Sequence, residues 1–210
     1  MKFKDLVAST NHLSCFRTSY LGAGNSLAQI RLQLDRWEKA GKVKKVTKGV
    51  YSLSPPYINA APNVFSISST LRSASYVSLQ SALAYYGLIP EYVPNTLAIT
   101  TGGPWQVISP FGSFFFRHIK DSLFWGYEQQ TDQGQSFFVA TPEKALLDLL
   151  YITAGSDNPA YVESLRLQNC DRLDIDVLHE YSERMKSKKV SRALVLAVKY
   201  IEENDEGYEL

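Results

Sequence analysis

The chain has 210 residues, 45% of them hydrophobic and 12% aromatic, with a formal net charge of +1. That suits one large domain or two small ones with a sizeable core. No apolar run reaches the roughly 18 residues of a membrane span, and "MKFKDLVAST" lacks the apolar stretch of a signal peptide, so a cytoplasmic protein is expected.

The small net charge hides an asymmetry. Residues 1–54 hold ten Lys/Arg against three Asp/Glu, residues 55–150 four against six, and residues 151–210 eight against twelve. A basic amino-terminal segment on a mildly acidic body fits either a local polyanion contact or a solvated surface. Cys15 and Cys170 have no metal-like spacing and are expected to be reduced and buried.

In chain order, residues 2–9 and 15–21 read as short helices, and "GAGN" (22–25) as a turn with Asn25 or Ser26 capping the next helix. The spacing of Leu27, Ile30, Leu34 and Trp37 predicts a helix over 26–40 with those residues inward. Gln29, Leu32, Arg36 and Lys39 fall on its outer face, with Arg31 and Gln33 on the flanks. Gly41 stops it. "KVKKV" and "VYSL" flank "TKG" as a hairpin, with lysines at 42, 44, 45 and 48. Three helices followed by a hairpin is the order of a winged helix-turn-helix. The third helix would then enter a major groove, and the hairpin lysines would lie along phosphates. The side chains expected on DNA are Gln29, Arg31, Gln33, Arg36, Lys39, Lys44, Lys45 and Lys48. Glutamine and arginine have the geometry for base edges, whereas lysine is a point charge suited to phosphate. Leu32 would meet a thymine methyl. The same fold also serves as a protein-docking module.

"SPPYINAAPN" (54–63) discourages helix and strand alike and marks a boundary. Beyond it, helices are predicted over 64–72 and from near Ser78 to Gly87. Strands are predicted over 96–101, 112–119, 123–129 and 135–140. A helix over 141–152 has Thr141 as its cap, Pro142 at its first position and Glu143 in its first turn. Further helices are predicted over 159–166, 173–186 and 189–203, then a frayed acidic tail. The expected fold class is α+β. A winged helix-turn-helix over 1–54 and a linker over 55–63 precede a mixed α/β domain over 64–210, with a mostly antiparallel sheet and carboxy-terminal helices.

Catalytic constellations are missing. His12, His118 and His179 are scattered, and the phosphate-binding, dinucleotide and serine-hydrolase motifs are absent. "TTGGP" (100–104) reads as a strand-end turn. Glu143 and Lys144 are adjacent on a helix and point about 100° apart, unlike a nuclease metal site. Lys144 and Asp148 read as a structural i, i+4 pair. Ser75, Tyr76, Ser78 and Ser81 cap a helix or line a polar pocket. No catalytic residue, metal or cofactor is expected.

Four blocks carry a resemblance. "RWEKAGKVKKVTKGVYSL" (36–53) resembles the end of the winged helix of AbiEi-type antitoxins from bacterial type IV toxin–antitoxin systems. "SYVSLQSALAYYGLIPE" (75–91), "FGSFFFRHIKDSLFWGYE" (111–128) and "FVATPEKALLDLLY" (138–151) are similar to later blocks of that family, in its order. The resemblance spans roughly residues 15–152. It implies a winged helix that binds inverted repeats in its own promoter, as two copies on double-stranded DNA. It also implies a carboxy-terminal domain that counteracts a nucleotidyltransferase-like toxin, with or without a stable complex. The lysine-rich hairpin departs from the family's more arginine-rich one. Two other readings remain open: a ligand-sensing transcriptional regulator and a metal-dependent nuclease.

Overall fold

The structure, a computed structural model, describes residues 1–22 and 26–205. It is mixed α+β, with eight α-helices and nine strands among the described residues. No helix among them is long and apolar enough to cross a membrane.

The amino-terminal unit opens with helix α1 (Phe3–Thr10), then strand β1 (Phe16–Arg17) and a 3-10 turn (Thr18–Leu21). The helix expected over 15–21 is thus a strand and a single tight turn. Phe16 and Arg17 pair with Tyr51 and Val50, and this tertiary pairing outweighs a weak local helical preference. Helix α2 (Leu27–Lys39) comes next, and then strands β2 (Val43–Thr47) and β3 (Val50–Leu53) close a three-stranded sheet in the order β1-β3-β2. Ser26 occupies the N-cap of α2 without a capping side-chain bond. Asn25, the other expected cap, lies outside the described residues.

Helix α2 buries Ile30 and Leu34 completely or nearly so, against Leu6, Phe16, Leu21, Val43 and Leu53. Each buried aliphatic side chain contributes about 1.5–3 kcal/mol, enough to hold a helix whose outer face is charged. Leu27 is not inward as expected but 48% exposed, because it lies at the first helical residue, beyond the edge of the core. The helix ends as expected. Gly41 (φ +69°) lets its own amide reach Glu38 O and the Lys42 amide reach Trp37 O, at 2.9 Å each. That pair of bonds satisfies two end carbonyls, and a left-handed residue is needed to make them.

The β2–β3 hairpin has two faces. Val43, Tyr51 and Leu53 look towards α1 and α2. Val46 and Val50 instead join Cys15, Ile67, Leu71, Ala98, Val107, Phe114 and Phe116 in a second apolar cluster. The hairpin therefore lies between its own helices and the remainder of the chain. Residues 55–63 are fastened as well. Buried Gln135 donates to Ala61 O (2.9 Å) and accepts from the Asn63 amide (3.0 Å) and from Ser14 Oγ. The Arg17 guanidinium donates to Thr70 O and Leu71 O, at 2.9 and 2.8 Å.

Beyond Asn63 come α3 (Val64–Leu71), β4 (Ser75–Val77), α4 (Leu79–Tyr85), β5 (Thr96–Thr100), β6 (Trp105–Ser109), β7 (Gly112–His118), β8 (Tyr127–Asp132) and β9 (Gln135–Ala140). Four helices complete the described chain: α5 (Pro142–Ile152), α6 (Pro159–Ser164), α7 (Ile175–Met185) and α8 (Lys188–Asp205). The six strands form one mixed sheet, ordered β6-β7-β5-β4-β9-β8. The β4–β5, β6–β7 and β8–β9 pairs are antiparallel, whereas β4–β9 and β5–β7 are parallel. Strands β4 and β6 were not foreseen, and residues 123–126 precede β8 rather than belong to it. Helix α5 lies against the centre of the sheet, where Tyr76, Val77, Leu146, Leu147 and Leu150 share the largest cluster with α7 and α8.

Candidate nucleic-acid interface and a buried ionic network

On α2, the side chains of Gln29, Arg31, Arg36 and Lys39 are exposed, and Gln33 is half-buried on the flank. Leu32 stands among them 61% exposed. Lys39 pairs with Asp35 at 2.9 Å, both in solvent, so its charge is partly compensated and its pairing adds little stability. Arg36 has no ion pair among the described residues.

The hairpin lysines divide between faces. Lys45 is opposite Tyr51 and Lys44 opposite Ser52, and opposed residues in a ladder share a face while neighbours alternate. Tyr51 looks towards α2. Its hydroxyl is pushed above its ordinary pKa by burial, then by Glu38 and Asp35, and pulled back by Arg31. Lys45 thus lies on the side of the sheet that carries α2. Lys44 is on the reverse face, its ammonium 5.3 Å above the Phe111 ring. Lys48 is exposed in the turn between the two strands. Lys42 sits with its ammonium 4.9 Å over the Phe3 ring. Of the residues expected on DNA, the structure groups Gln29, Arg31, Gln33, Arg36, Lys39 and Lys45 around one helix, with Lys48 at the hairpin tip. Lys44 is set apart.

A second constellation is buried. Lys144 and Asp148, one turn apart on α5, are ion-paired with both side chains at 0% exposure. Asp148 Oδ2 also accepts from Tyr76 Oη (3.0 Å) and Ser78 Oγ (2.9 Å), and Lys144 Nζ donates to Tyr76 Oη at 2.9 Å. Tyr76 and Ser78 come from β4 and the start of α4, so the network ties the sheet to α5. Burial pushes the Asp148 carboxyl up, opposed by Lys144 and by both hydroxyls, and pushes the Lys144 ammonium down, opposed by Asp148. Tyr76 is raised by burial and by the facing carboxylate. Trp125 covers the ammonium at 5.1 Å, and the Arg184 guanidinium stacks on the same tryptophan at 4.0 Å. A Cβ on Gly126 (φ +72°) would sit 3.0–3.2 Å from the Lys144 stem. The network's four polar side chains lie at residues that are 0% exposed, so the arrangement acts as an internal strut.

Glu143, expected to compensate the helix dipole, is buried and accepts from the Asp174 amide at 3.2 Å. Ser78 spends its hydroxyl on Asp148 and not on capping α4. Ser81 donates to Asn95 O and accepts from the Leu97 amide, both at 2.9 Å. His12, His118 and His179 are exposed, and no group of three metal-ligating side chains occurs among the described residues. Cys15 is buried as expected, its thiol pushed up to about 12 by burial, whereas Cys170 is half-buried. The meeting of Tyr76 and Ser78 with Lys144 and Asp148 was not foreseen. Its signal was a lysine and an aspartate inside an otherwise apolar helix, "EKALLDLL".

No protein-family model matches the chain, and no curated protein matches it significantly. The resemblance of its sequence blocks therefore stands on the residues of those blocks.

Proposed function

We propose that this protein is a DNA-binding antitoxin that represses its own operon through a winged helix-turn-helix over residues 1–54. One observation carries the reading. Helix, strand, tight turn, helix and hairpin succeed one another around a β1-β3-β2 sheet, the last helix exposes Arg31 and Arg36, and Lys45 lies on the sheet face that carries that helix. In this reading α2 enters the major groove of double-stranded DNA. Arg31, Arg36, Gln29 and Gln33 reach base edges, while Lys45 and Lys48 seat the hairpin on phosphates. Leu32 supplies the apolar contact for a thymine methyl. Two copies would bind an inverted repeat in the protein's own promoter.

The block resemblance supports the second half of the proposal: the α/β unit, without catalysis of its own, counteracts a nucleotidyltransferase-like toxin in the cytoplasm. The test has two arms. Footprinting of the DNA upstream of the gene should show protection of an inverted repeat, lost on Arg36→Glu with Lys45→Glu. Co-expression with the adjacent gene product should restore growth that this product alone arrests. Unprotected upstream DNA refutes the repressor, and unrelieved arrest refutes the antitoxin.

A ligand-sensing regulator is favoured by a separate observation, a basic cavity in the carboxy-terminal half.

A further inference from the structure

A cavity of about 490 Å³ opens where α5, the α7–α8 turn and the segment before β8 meet. Its wall includes Lys120, Arg184 and Lys186, together with Ser122, Ser187 and Tyr151, and no carboxylate of the described residues lines it. We propose that this cavity binds a small phosphorylated organic molecule. The proposal concerns a surface separate from the DNA-reading helix and holds whether or not that helix binds DNA.

Three cations line one space with no anion among the described residues of its wall. Lys120 and Lys186 form no ion pair with any described residue. The flanking carboxylates, Asp121 and Glu183, are exposed and lie outside the lining. Like charges gathered this way repel, and a ligand carrying two or more negative charges removes that repulsion. The unit around the cavity is acidic, since residues 151–210 hold twelve Asp/Glu against eight Lys/Arg. The concentration of positive charge here therefore runs against its surroundings.

One of the donors, and the helix start beside it, are also held in place. Arg184 lies against Trp125, its central carbon 4.0 Å from the ring centroid, which fixes the planar fork that suits phosphate oxygens. Ser187 accepts from the Val190 amide at 3.4 Å, and its carbonyl takes the first intrahelical bond of α8, from Ser191 at 3.0 Å. The amides of Lys188 and Lys189 precede that bond and lie at the positive end of an 18-residue helix. This helix start adds to a cavity already defined by its cations.

Size selects the ligand class. Small-molecule sites run from about 300 to 1,000 Å³, and a bare phosphate would leave most of this one empty. Leu123, Met185 and the Tyr151 ring add apolar surface to the lining, against which an organic body can rest.

The test is calorimetry on the full chain with inorganic phosphate, pyrophosphate and ATP as probes. ATP should bind with a dissociation constant below about 1 mM and more tightly than inorganic phosphate. Lys120→Ala with Lys186→Gln should weaken it about a hundredfold, each lost charge-assisted contact counting for roughly tenfold. Both side chains are exposed, so the unliganded melting temperature of that variant should be unchanged. A second variant, Lys45→Glu with Lys48→Glu, should leave ATP binding intact. Failure of all three probes to bind overturns the proposal. So does loss of binding in the hairpin variant but not in the cavity variant, and inorganic phosphate binding as tightly as ATP overturns the organic ligand.

Discussion

Replacing Lys144 by methionine should destabilise the protein by about 3–5 kcal/mol, the usual result of removing one partner from a buried ion pair. Methionine matches the apolar stem that packs against Gly126 and Trp125, so little of the loss comes from packing. What remains is the Asp148 carboxylate, facing only the Tyr76 and Ser78 hydroxyls. Asp148→Asn should cost a similar amount, because the ammonium then has no counter-charge. The double variant should cost clearly less than the sum. The neutral amide still accepts from both hydroxyls, and no charge is left buried. A double-mutant cycle in denaturant should give a coupling of about 0.5–3 kcal/mol. In thermal scans each single variant should melt about 6–20 °C lower. The pH dependence has a definite sign. Burial already holds the Asp148 carboxyl above its ordinary value, against the pull of Lys144. Without the ammonium it rises further, so the native state binds that proton more tightly than the unfolded chain does. The stability this confers is present at low pH and lost as pH rises through the native value. The deficit of Lys144→Met relative to wild type should therefore shrink between pH 7 and pH 5. Additive single effects, or a deficit that grows on acidification, would refute the strut.

Gly126→Ala should destabilise by about 2–5 kcal/mol, read by urea melts, from a left-handed backbone with a Cβ and from overpacking on the Lys144 stem. Lys44→Ala should leave affinity for upstream duplex within about twofold, under 0.5 kcal/mol, because its ammonium rests over Phe111. Lys45→Ala should weaken binding by more, and anisotropy titrations compare the two. In a Cys170→Ser background, a thiol reagent at pH 8 should not label Cys15 until the chain unfolds, since that thiol is buried and pushed up to about 12.

Much of the fold was legible where a local rule acts alone. The period of Ile30, Leu34 and Trp37, and the Gly41 stop, define α2. Thr141, accepting from the Lys144 amide at 3.3 Å, and Pro142 define the start of α5. Strand β1, two residues long, was not legible, because its identity comes from pairing with β3. Strand β4 has three residues that read as a helix approach, and β6 comes directly after the glycines of the TTGGP turn. The exposed side chains of α2 were legible from the same period that buries its core. The buried network was not, since its partners stand 68 to 72 residues apart in the chain. Alternation sets Lys44 and Lys45 on opposite faces, but which face meets α2 depends on packing against α2 on one side and Phe111 on the other, and those partners are distant in the chain.

The most direct test of the account is the salt dependence of binding to a duplex from the protein's own upstream region. Wild-type protein should bind with an affinity that falls steeply and log-linearly with salt. Lys45→Ala with Lys48→Ala should make that slope shallower by about 1.8, or about 0.9 for each phosphate contact removed. A wild-type protein that does not bind the duplex at low salt, or a slope that the double variant leaves unchanged, would contradict the assignment of α2 and its hairpin to DNA.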